Sequence, residues 1–485
     1  MEAYDVRYAW RITPILGSAA LLVMYVSGSV MPSLPRIQAD FNVSAADAAW
    51  IMTAFMVAGA VGASVFGALG DIYGKKRMLL VALVVYALAT TAAGFAPNFG
   101  TFVALRALQG LGVAMFPLAF SIIREEFPPE MAPLAQGVVS AMFGVGMMVA
   151  LQAGAYLSQN YGWRSVFYTA APLAALCTVL IWLCVRESRY RAYRRVDYIG
   201  VGLLSAAVVP LLIALTKGPD WGWASPKTAS LFALSAVAAL VLALHEATTK
   251  EPLIPRELLA RNVSVANAAI AVAGLGMMLG AQQSVIYLFE MPVPYGYGLT
   301  ILQTGMLMLF PSVVSAAASM VAGRAIVFVG TKVMSVIGVV LAIAGLQLTA
   351  RYLYSGVWTV LSCITVAYVG IMLLFVSLIN LLTFSAPREL LGAATSLNTV
   401  FRIIGFAVGS AIAGTVLTQY KTYLYFETPM GPIYYSLPSK DAYVVNMNAS
   451  TAAFIAMLLP VLAAREVIGA RFWRQRASAE QTPRR

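Results

Sequence analysis

The chain has 485 residues, of which 60% are hydrophobic and 11% charged, and its formal net charge is +12. Because soluble domains carry about 25% charged residues, this composition and a mean hydropathy of +0.81 exclude a soluble protein and indicate that the bilayer is the chain's solvent. Basic residues are spread through short loops rather than gathered on one face, which argues against nucleic acid as a partner.

The apolar segments are long enough for helices. A membrane-crossing helix needs about 20 apolar residues, whereas barrel strands would give alternating segments of about 10. We therefore predict an all-α membrane protein with fourteen spans. The predicted spans are 12–34, 48–70, 78–97, 100–123, 134–157, 164–185, 198–217, 229–245, 263–290, 299–322, 333–352, 357–384, 393–418 and 448–468.

A polar segment that begins near the end of the second span occurs twice in the sequence. It runs from Gly67 to Arg77, and a worn copy from Gly323 to Lys332 follows 256 positions later, with Val327 where the acid would be. A motif repeated within a hydrophobic chain predicts two related halves, as in transporters.

The residues of the first copy suit a contact between those halves. Gly67 and Gly74 permit close backbone approach and a tight reversal, and Asp71 can meet a helix N-terminus or a basic side chain. A solvated inner loop is the alternative interpretation.

Alignment of the two copies predicts the domain organisation. Residues 1–185 form a six-helix bundle, and residues 262–485 form a second one that ends in a basic tail. Spans 7 and 8, with their linkers, form an insertion at 186–261. The loop from Gln419 to Asn446 is rich in tyrosine and proline, so we expect it to be ordered by packing without a helix.

Loop charge predicts the sidedness of the chain. If the N-terminus is cytoplasmic, the inner loops and tails hold 23 of the 32 basic residues, the outer loops hold 7, and two lie within spans. The positive-inside rule then places both termini in the cytoplasm of a plasma-membrane protein. The first span is too long for a signal peptide, so it is interpreted as a retained anchor.

The fourth span contains an arginine within an apolar helix. Its sequence includes Arg106, Gln109, Gly110 and Gly112. An arginine at that depth costs about 2.5–3.5 kcal/mol, so Arg106 is expected to face a polar cavity or a partner. Snorkelling to the surface is the alternative.

These motifs resemble those of a known family. The segment 67–77 resembles the signature loop of the major facilitator superfamily, and Arg106-x-x-Gln109-Gly110-x-Gly112 resembles its fourth-helix motif. Further features are similar to the drug:proton antiporter family with fourteen spans, whose members include multidrug efflux proteins: Leu34-Pro35-x-Ile37, Trp50 and Gly162-Trp163-Arg164-x-x-Phe167. The resemblance implies two bundles around a central cavity, alternating access, and proton-driven export of amphipathic compounds.

The resemblance also implies roles for single residues. It assigns Gly67, Asp71, Gly74, Lys75 and Arg77 to an inner gate. It assigns Arg106 and Gln109 to a proton or substrate relay, to which we add Glu290 and Arg402.

Two positions depart from the family pattern. Val26 stands where the family has an aspartate in span 1, and Leu151 stands where it has the proline of span 5. Both changes weaken the usual signs of proton antiport. Small residues still provide faces for helix packing, and the glycines assigned to packing are Gly110, Gly112, Gly144 and Gly154.

Few acids are placed to carry a proton through the membrane. Glu290, which closes the ninth span, is the best candidate, and the alternative is a wetted acid at the outer rim. Asp40 and Asp47 are interpreted as capping or solvated acids. His245 is interpreted as one member of a surface pair with Glu246.

The spans also suggest a substrate cavity. Arg402 is a second cation within the membrane, and Asn380, Tyr25 and Gln152 are assigned to the cavity with it. Because no certain buried anion accompanies the two arginines, the cavity should disfavour cations. We therefore expect neutral or anionic amphiphiles, including lipid-like molecules, as substrates.

No Walker loop, zinc-spaced Cys/His cluster or nucleophile elbow is present, so we expect no enzyme activity, cofactor or metal. The sequence predicts a secondary transporter that acts as a monomer on a small amphipathic substrate, with protons as the coupling ion. Two alternatives stay open: an uncoupled facilitator or uniporter of the same fold, and a membrane receptor that does not transport.

Overall fold

The computed structural model describes residues 4–192, 195–428 and 431–469, without the side chains of 45, 46 and 425–435. Most of the basic tail therefore lies outside the described residues, as do two residues of the linker after span 6. The α-helices are α1 (Val6–Ser29), α2 (Leu34–Phe41), α3 (Ala45–Tyr73), α4 (Lys75–Ala93), α5 (Phe99–Gly110), α6 (Met115–Glu126), α7 (Ala132–Tyr161), α8 (Ser165–Cys184), α9 (Tyr198–Trp221), α10 (Pro226–Thr248), α11 (Arg261–Gly276), α12 (Ser284–Glu290), α13 (Ile301–Val329), α14 (Thr331–Arg351), α15 (Val357–Ser385), α16 (Leu391–Gln419) and α17 (Lys440–Ala463).

Within the described ranges, fourteen helical segments are long and apolar enough to cross a membrane. This confirms the predicted all-α membrane fold and its number of spans. The fourth span consists of α5 and α6 joined by a 3₁₀ turn, and the ninth of α11 and α12 joined by a π-helical stretch at Met277–Gln283. The last span begins at Lys440, eight residues before its predicted start, because a polar first turn precedes its apolar part.

The first copy of the repeated motif is almost entirely helical, although the predicted spans left residues 71–77 outside helices. Helix α3 continues to Tyr73 and α4 begins at Lys75, so Gly67 and Asp71 lie within α3. Only Gly74 forms the turn, with a φ of 109°, a value that an L-residue rarely adopts and that glycine adopts freely. The reversal therefore needs a single residue.

The loop between α16 and α17 contains strands, which the sequence analysis did not predict. β1 (Lys421–Thr428) and β2 (Gly431–Pro438) pair antiparallel as a hairpin, with Lys421 opposite Pro438. The aromatic and β-branched residues of this segment favour extended backbone. This loop was expected to contain no helix, and the described residues between 421 and 438 contain none, whereas α17 begins at Lys440.

The helices pack as two groups that have two main contacts with each other. Helix α1 packs on α7 and α8, whereas α14 packs on α15 and α17. The groups touch where α7 meets α13 and where α3 meets α16. We call these two contacts together the seam. The exact domain boundaries stay a prediction.

The inserted helices α9 and α10 pack on each other, and α9 also contacts α3 and α16. The insertion thus lies against both sides of one seam contact. Where α9 ends, Trp221 packs on Trp50 of α3, with ring centroids 6.5 Å apart. In the connection between α9 and α10, Trp223 Nε1 donates to Thr415 Oγ1 of α16 at 3.0 Å.

One end of the molecule carries both described termini, and we call it the inner end. There Arg388, just before α16, donates to the hydroxyl of Tyr4 at 2.9 Å. Asn262, at the start of α11, donates to the carbonyl oxygen of Arg465 at 3.0 Å.

At the inner end, each half has one glutamate that accepts hydrogen bonds from the N-terminus of a helix. Glu187 accepts from the backbone N–H groups of Lys76 and Arg77 at the start of α4, at 3.0 and 3.2 Å. Glu466 accepts from Thr331 N–H and that of the next residue at the start of α14, at 2.8 and 2.9 Å. Each acid caps a helix whose first N–H groups lack intrahelical partners. The sequence analysis missed both residues.

We expect Glu466→Gln to lower the free energy of unfolding by about 1 kcal/mol, because the amide removes the negative charge from the N-terminus of α14. Thermal unfolding in detergent should show this as a decrease in Tm of about 1–3 °C. Glu257→Gln is the control, since Glu257 is exposed. Equal decreases for the two variants would contradict the capping role.

Candidate functional site

A buried carboxylate of one half binds a helix N-terminus of the other. Asp71 Oδ1 accepts from Gly392 N–H and Oδ2 accepts from Ala393 N–H, both at 2.7 Å. These donors lie in the first turn of α16, where N–H groups lack intrahelical partners and the helix dipole favours an anion. Asp71 is fully buried, so water does not screen these contacts.

Two further buried charges accompany Asp71. Lys75 Nζ lies 3.2 Å from Asp71 Oδ1 and 2.6 Å from Glu125 Oε1. The other oxygen of Glu125 accepts from Ser188 Oγ at 2.6 Å. Buried charges persist when they are paired and hydrogen-bonded, and each of the three has such partners. The sequence analysis missed Glu125, although it belongs to a charged run, Arg124 to Glu126, that closes an apolar span.

Gly67 lies where α3 and α16 come closest. A Cβ built on it would overlap Ser396 Oγ and lie 2.5 Å from the Gly392 carbonyl oxygen. The second copy of the motif makes an equally close helix contact, since a Cβ on Gly323 of α13 would overlap the Pro133 carbonyl oxygen at the start of α7. Both seam contacts therefore depend on a glycine at the same place in the motif.

The missing acid in the second copy has a physical explanation. Helix α13 has Val327 where α3 has Asp71, and the helix that faces it across the seam, α7, has Pro133 in its first turn. Proline has no backbone N–H, so this N-terminus offers an acid one donor fewer than α16 offers Asp71. The ionic contact is thus confined to one of the two seam contacts.

Arg77 does not reach the seam. Its Nε lies 3.6 Å from Glu187 Oε2, and its side chain is 67% exposed. Glu187 belongs to the same half, so the structure corrects the implied place of Arg77 in a contact between halves. Its position at the start of α4 turns the side chain away from α16.

Further polar contacts between the halves lie toward the inner end. Ser121 and Thr395 hydroxyls are 3.0 Å apart, and Gln136 Nε2 donates to Thr383 Oγ1 at 3.3 Å. Ser319 Oγ donates to the carbonyl oxygen of the glycine at 137 at 3.2 Å. All of these side chains are buried, so the inner end of the seam is closed.

Arg106 is bound inside the N-terminal half. Its Nη1 donates to Gln109 Oε1 at 2.7 Å, its Nε donates to the Ile51 carbonyl oxygen at 3.4 Å, and its guanidinium lies 4.6 Å from the Phe55 ring centroid. Gln109 in turn donates to Thr90 Oγ1 at 3.3 Å. Arg106 therefore faces partners and does not snorkel, and its relay role stays a prediction.

The four glycines assigned to packing differ. A Cβ on Gly110 would overlap the Phe55 carbonyl oxygen, one on Gly112 would lie 2.5 Å from the Tyr86 ring, and one on Gly154 would lie 2.6 Å from Ser29 Cα. Gly144 has no atom within 4 Å of such a Cβ among the described residues. The packing assignment is therefore wrong for Gly144, because that face of α7 is open there.

A small cavity lies between the two halves near the middle of the helices. Phe116 and Phe143 line it from the N-terminal half, and Phe375, Asn398 and Arg402 line it from the other. Its volume of about 10 Å³ leaves room for about one water molecule.

Among the described residues, Arg402 contacts aromatic rings and forms no ion pair. Its guanidinium carbon lies 5.7, 5.4 and 5.9 Å from the ring centroids of Phe116, Phe143 and Phe375. Its Nε is buried and has no hydrogen-bond partner in the described part of the chain.

The other residues assigned to the cavity lie elsewhere. Tyr25 faces α8, with its hydroxyl 3.3 Å from Thr169 Oγ1, which corrects its assignment. Gln152 faces Gly305 across the seam. Asn380 is fully buried and donates to the Val376 carbonyl oxygen at 2.8 Å, one position beyond the lining residue at 379.

The ionisable candidates near helix ends have these positions. Glu290 is the last residue of α12 and is partly exposed. Asp47 forms a capping box with Ser44, as expected. His245 lies 3.0 Å from both Asp197 carboxylate oxygens, so its predicted pairing with Glu246 is wrong, because the end of α10 packs beside the start of α9.

Comparison with known proteins gives the family. The sequence profile of the Major Facilitator Superfamily matches residues 16–410. The chain is 28% identical over 413 residues to the tetracenomycin C resistance and export protein of Streptomyces glaucescens, which covers 84% of this chain and 76% of that one. It is 26% identical over 412 residues to the multidrug resistance protein Stp of Mycobacterium tuberculosis (strain CDC 1551 / Oshkosh), with the same coverage.

A solved structure agrees on the fold. The crystal structure of the human organic anion transporter MFSD10 (TETRAN) is 14% identical and superposes with a TM-score of 0.67, over 93% of this chain and 99% of that one. With a family match across most of its length and relatives that are exporters, the chain belongs to the major facilitator superfamily and is a transporter, not an enzyme.

Proposed function

We propose that this transporter exports amphipathic compounds, neutral or anionic and including lipid-like molecules, by alternating access driven by protons. The observation that carries the proposal is the buried Asp71 carboxylate on the N-terminus of α16, at the inner end of a seam whose two sides also line a central cavity. If the halves rock about that cavity, these contacts break when the inner end opens and form again when it closes.

The cavity supports amphipathic substrates. Phenylalanine rings from both halves supply apolar surface, and Arg402 supplies one positive charge. Among the described residues that line the cavity none is acidic, which disfavours cations. The names of the relatives, which refer to tetracenomycin C export and to multidrug resistance, support amphipathic cargo for this chain.

The same proposal assigns the chain to the plasma membrane as a monomer, with its inner end in the cytoplasm. The excess of basic residues in the inner loops and tails supports this orientation. Under it, the closed inner end faces the cytoplasm and the substrate leaves through the opposite end.

The proton site is proposed at Glu290. Its carboxylate lies at the last residue of α12, which ends the ninth span, and has no ion-pair partner among the described residues. A facilitator of the same fold is the second candidate function, and one observation favours it: Val26, which stands where the family has an acid, is fully buried among apolar residues of α1.

We expect Glu290→Gln to reduce substrate-dependent proton flux to below about a tenth of the wild-type value, because an amide cannot carry the proton. The protein is reconstituted in liposomes that contain a pH-sensitive dye, and neutral, anionic and cationic aromatic amphiphiles are added in turn. Asp441→Asn, an exposed acid at the start of α17, is the control and should leave the flux unchanged.

Two outcomes would change the proposal. Unchanged proton movement in Glu290→Gln removes that residue from the coupling mechanism. Wild-type transport that is indifferent to the pH gradient favours the facilitator and rejects proton coupling.

A further inference from the structure

We infer that the central cavity recognises aromatic anions, with the Arg402 guanidinium as the group that binds the carboxylate, sulfonate or phenolate of the substrate. This inference rests on the proposed function and specifies its substrate class. Within the described part of the chain, Arg402 lines the cavity without an ion-pair partner.

Three arginines that are buried or line the central cavity, Arg106, Arg124 and Arg402, have different surroundings. Arg106 donates to Gln109 and to a backbone carbonyl. Arg124 stacks on Phe384, 3.9 Å from its ring centroid, and its buried Nε and Nη1 also have no hydrogen-bond partner among the described residues, but it does not line the cavity. Arg402 does line the cavity. Its contacts in the described part of the chain are ring faces at more than 5 Å, and its buried Nε has no hydrogen-bond partner there.

An uncompensated cation at this depth is costly unless something supplies the missing contacts. A guanidinium offers five N–H donors in a planar arrangement that matches an oxyanion. The Ser140 hydroxyl and the Asn398 amide line the same cavity, and Asn398 Nδ2 is 3.2 Å from Asn267 Oδ1. These groups add neutral donors and no competing negative charge.

The rings determine what the anion is attached to. Phe116 and Phe143 belong to one half and Phe375 to the other, so the aromatic surfaces face each other across the seam. Flat rings pack well on aromatic bodies, in stacked or edge-to-face arrangements. A planar aromatic group between them would keep its charged end on Arg402.

The closed cavity has room for only about one water molecule, so an aromatic body enters when the halves separate. The anion then meets residues of both halves at once, since Ser140 belongs to α7 and Arg402 to α16. Substrate charge is therefore recognised at the place where the two halves move against each other.

Three fluorescent probes with one aromatic body test the inference: anilinonaphthalene sulfonate, neutral phenylnaphthylamine, and an anilinonaphthalene with a trimethylammonium group. Each is titrated onto the protein in nanodiscs, and the signal of empty nanodiscs is subtracted. We expect wild type to bind the sulfonate at least about tenfold more tightly than the neutral probe, and the ammonium probe most weakly.

In Arg402→Gln the affinity for the sulfonate should fall about tenfold or more, while the affinity for the neutral probe changes less than about twofold. Arg402→Lys should keep part of the sulfonate preference. Arg351→Gln, an exposed arginine at the end of α14, should match wild type. Retained binding of the neutral probe shows that the variant is folded.

An equal loss for sulfonate and neutral probe in a folded Arg402→Gln overturns the inference. If Arg402→Gln does not fold, the inference is tested by the order in which wild type binds the three probes. Tightest binding of the ammonium probe would overturn the inference. The proposed function fails differently: wild type in liposomes then exports none of the three probes. Export of neutral or cationic probes without the sulfonate leaves the function standing and rejects the anion site.

Discussion

Gly67→Val should reduce transport to a few per cent of the wild-type rate or less. The first added carbon would already overlap Ser396 Oγ and lie 2.5 Å from the Gly392 carbonyl oxygen, and backbone cannot move aside as a flexible side chain can. Overpacking costs about 1–3 kcal/mol, which corresponds to a shift of about fivefold to 150-fold away from the closed inner end.

Cysteine labelling measures this shift directly. The three native cysteines are replaced, and Ser121→Cys, buried at the seam beside Thr395, reports the opening of the inner end. In the Gly67→Val background the thiol should react at least about five times faster. Gly202→Val is the matched control, because Gly202 lies on α9 with no atom within 4 Å of an added Cβ among the described residues. Normal transport by Gly67→Val would contradict the close approach of α3 and α16.

Hydropathy made the number of spans predictable, since each helix must cross the same apolar thickness. It could not show which way a side chain faces, because a helix with lipid on one side and protein on the other is apolar all round. Tyr25 and Gly144 were misassigned for this reason.

The site was predictable where chemistry is local. The acid and base one turn apart, Asp71 and Lys75, predict a partner at a helix N-terminus or a basic side chain, and Asp71 contacts both. The partner could not be named, because Gly392 lies 321 positions away and nothing in its sequence marks it as a donor. Glu125 and Glu466 were missed for the same reason: an acid at a helix end looks solvated until its neighbours are known.

Asp71→Asn should lower transport about tenfold to a hundredfold while the chain stays folded. The amide has the same shape, but its NH₂ group would point at one of the two N–H donors of α16, so that contact becomes repulsive. Hydrogen bonds to a charged group contribute about 1.5–3 kcal/mol each, and at least one is lost. Lys75 keeps Glu125, 2.6 Å away, which preserves the local pairing within the N-terminal half.

The expected defect is therefore in closure of the inner end rather than in stability of either half. The labelling rate of Ser121→Cys should rise in Asp71→Asn, whereas Tm in detergent should change by less than about 3 °C. Asp47→Asn is the matched control on the same helix, because the amide oxygen of Asn at this third helical position can still accept from Ser44 N–H, so transport and labelling should stay at wild-type values. If Asp71→Asn labels as slowly as wild type yet fails to transport, the carboxylate acts in a step other than closure. If it transports normally, the contact between Asp71 and α16 is not part of the gate.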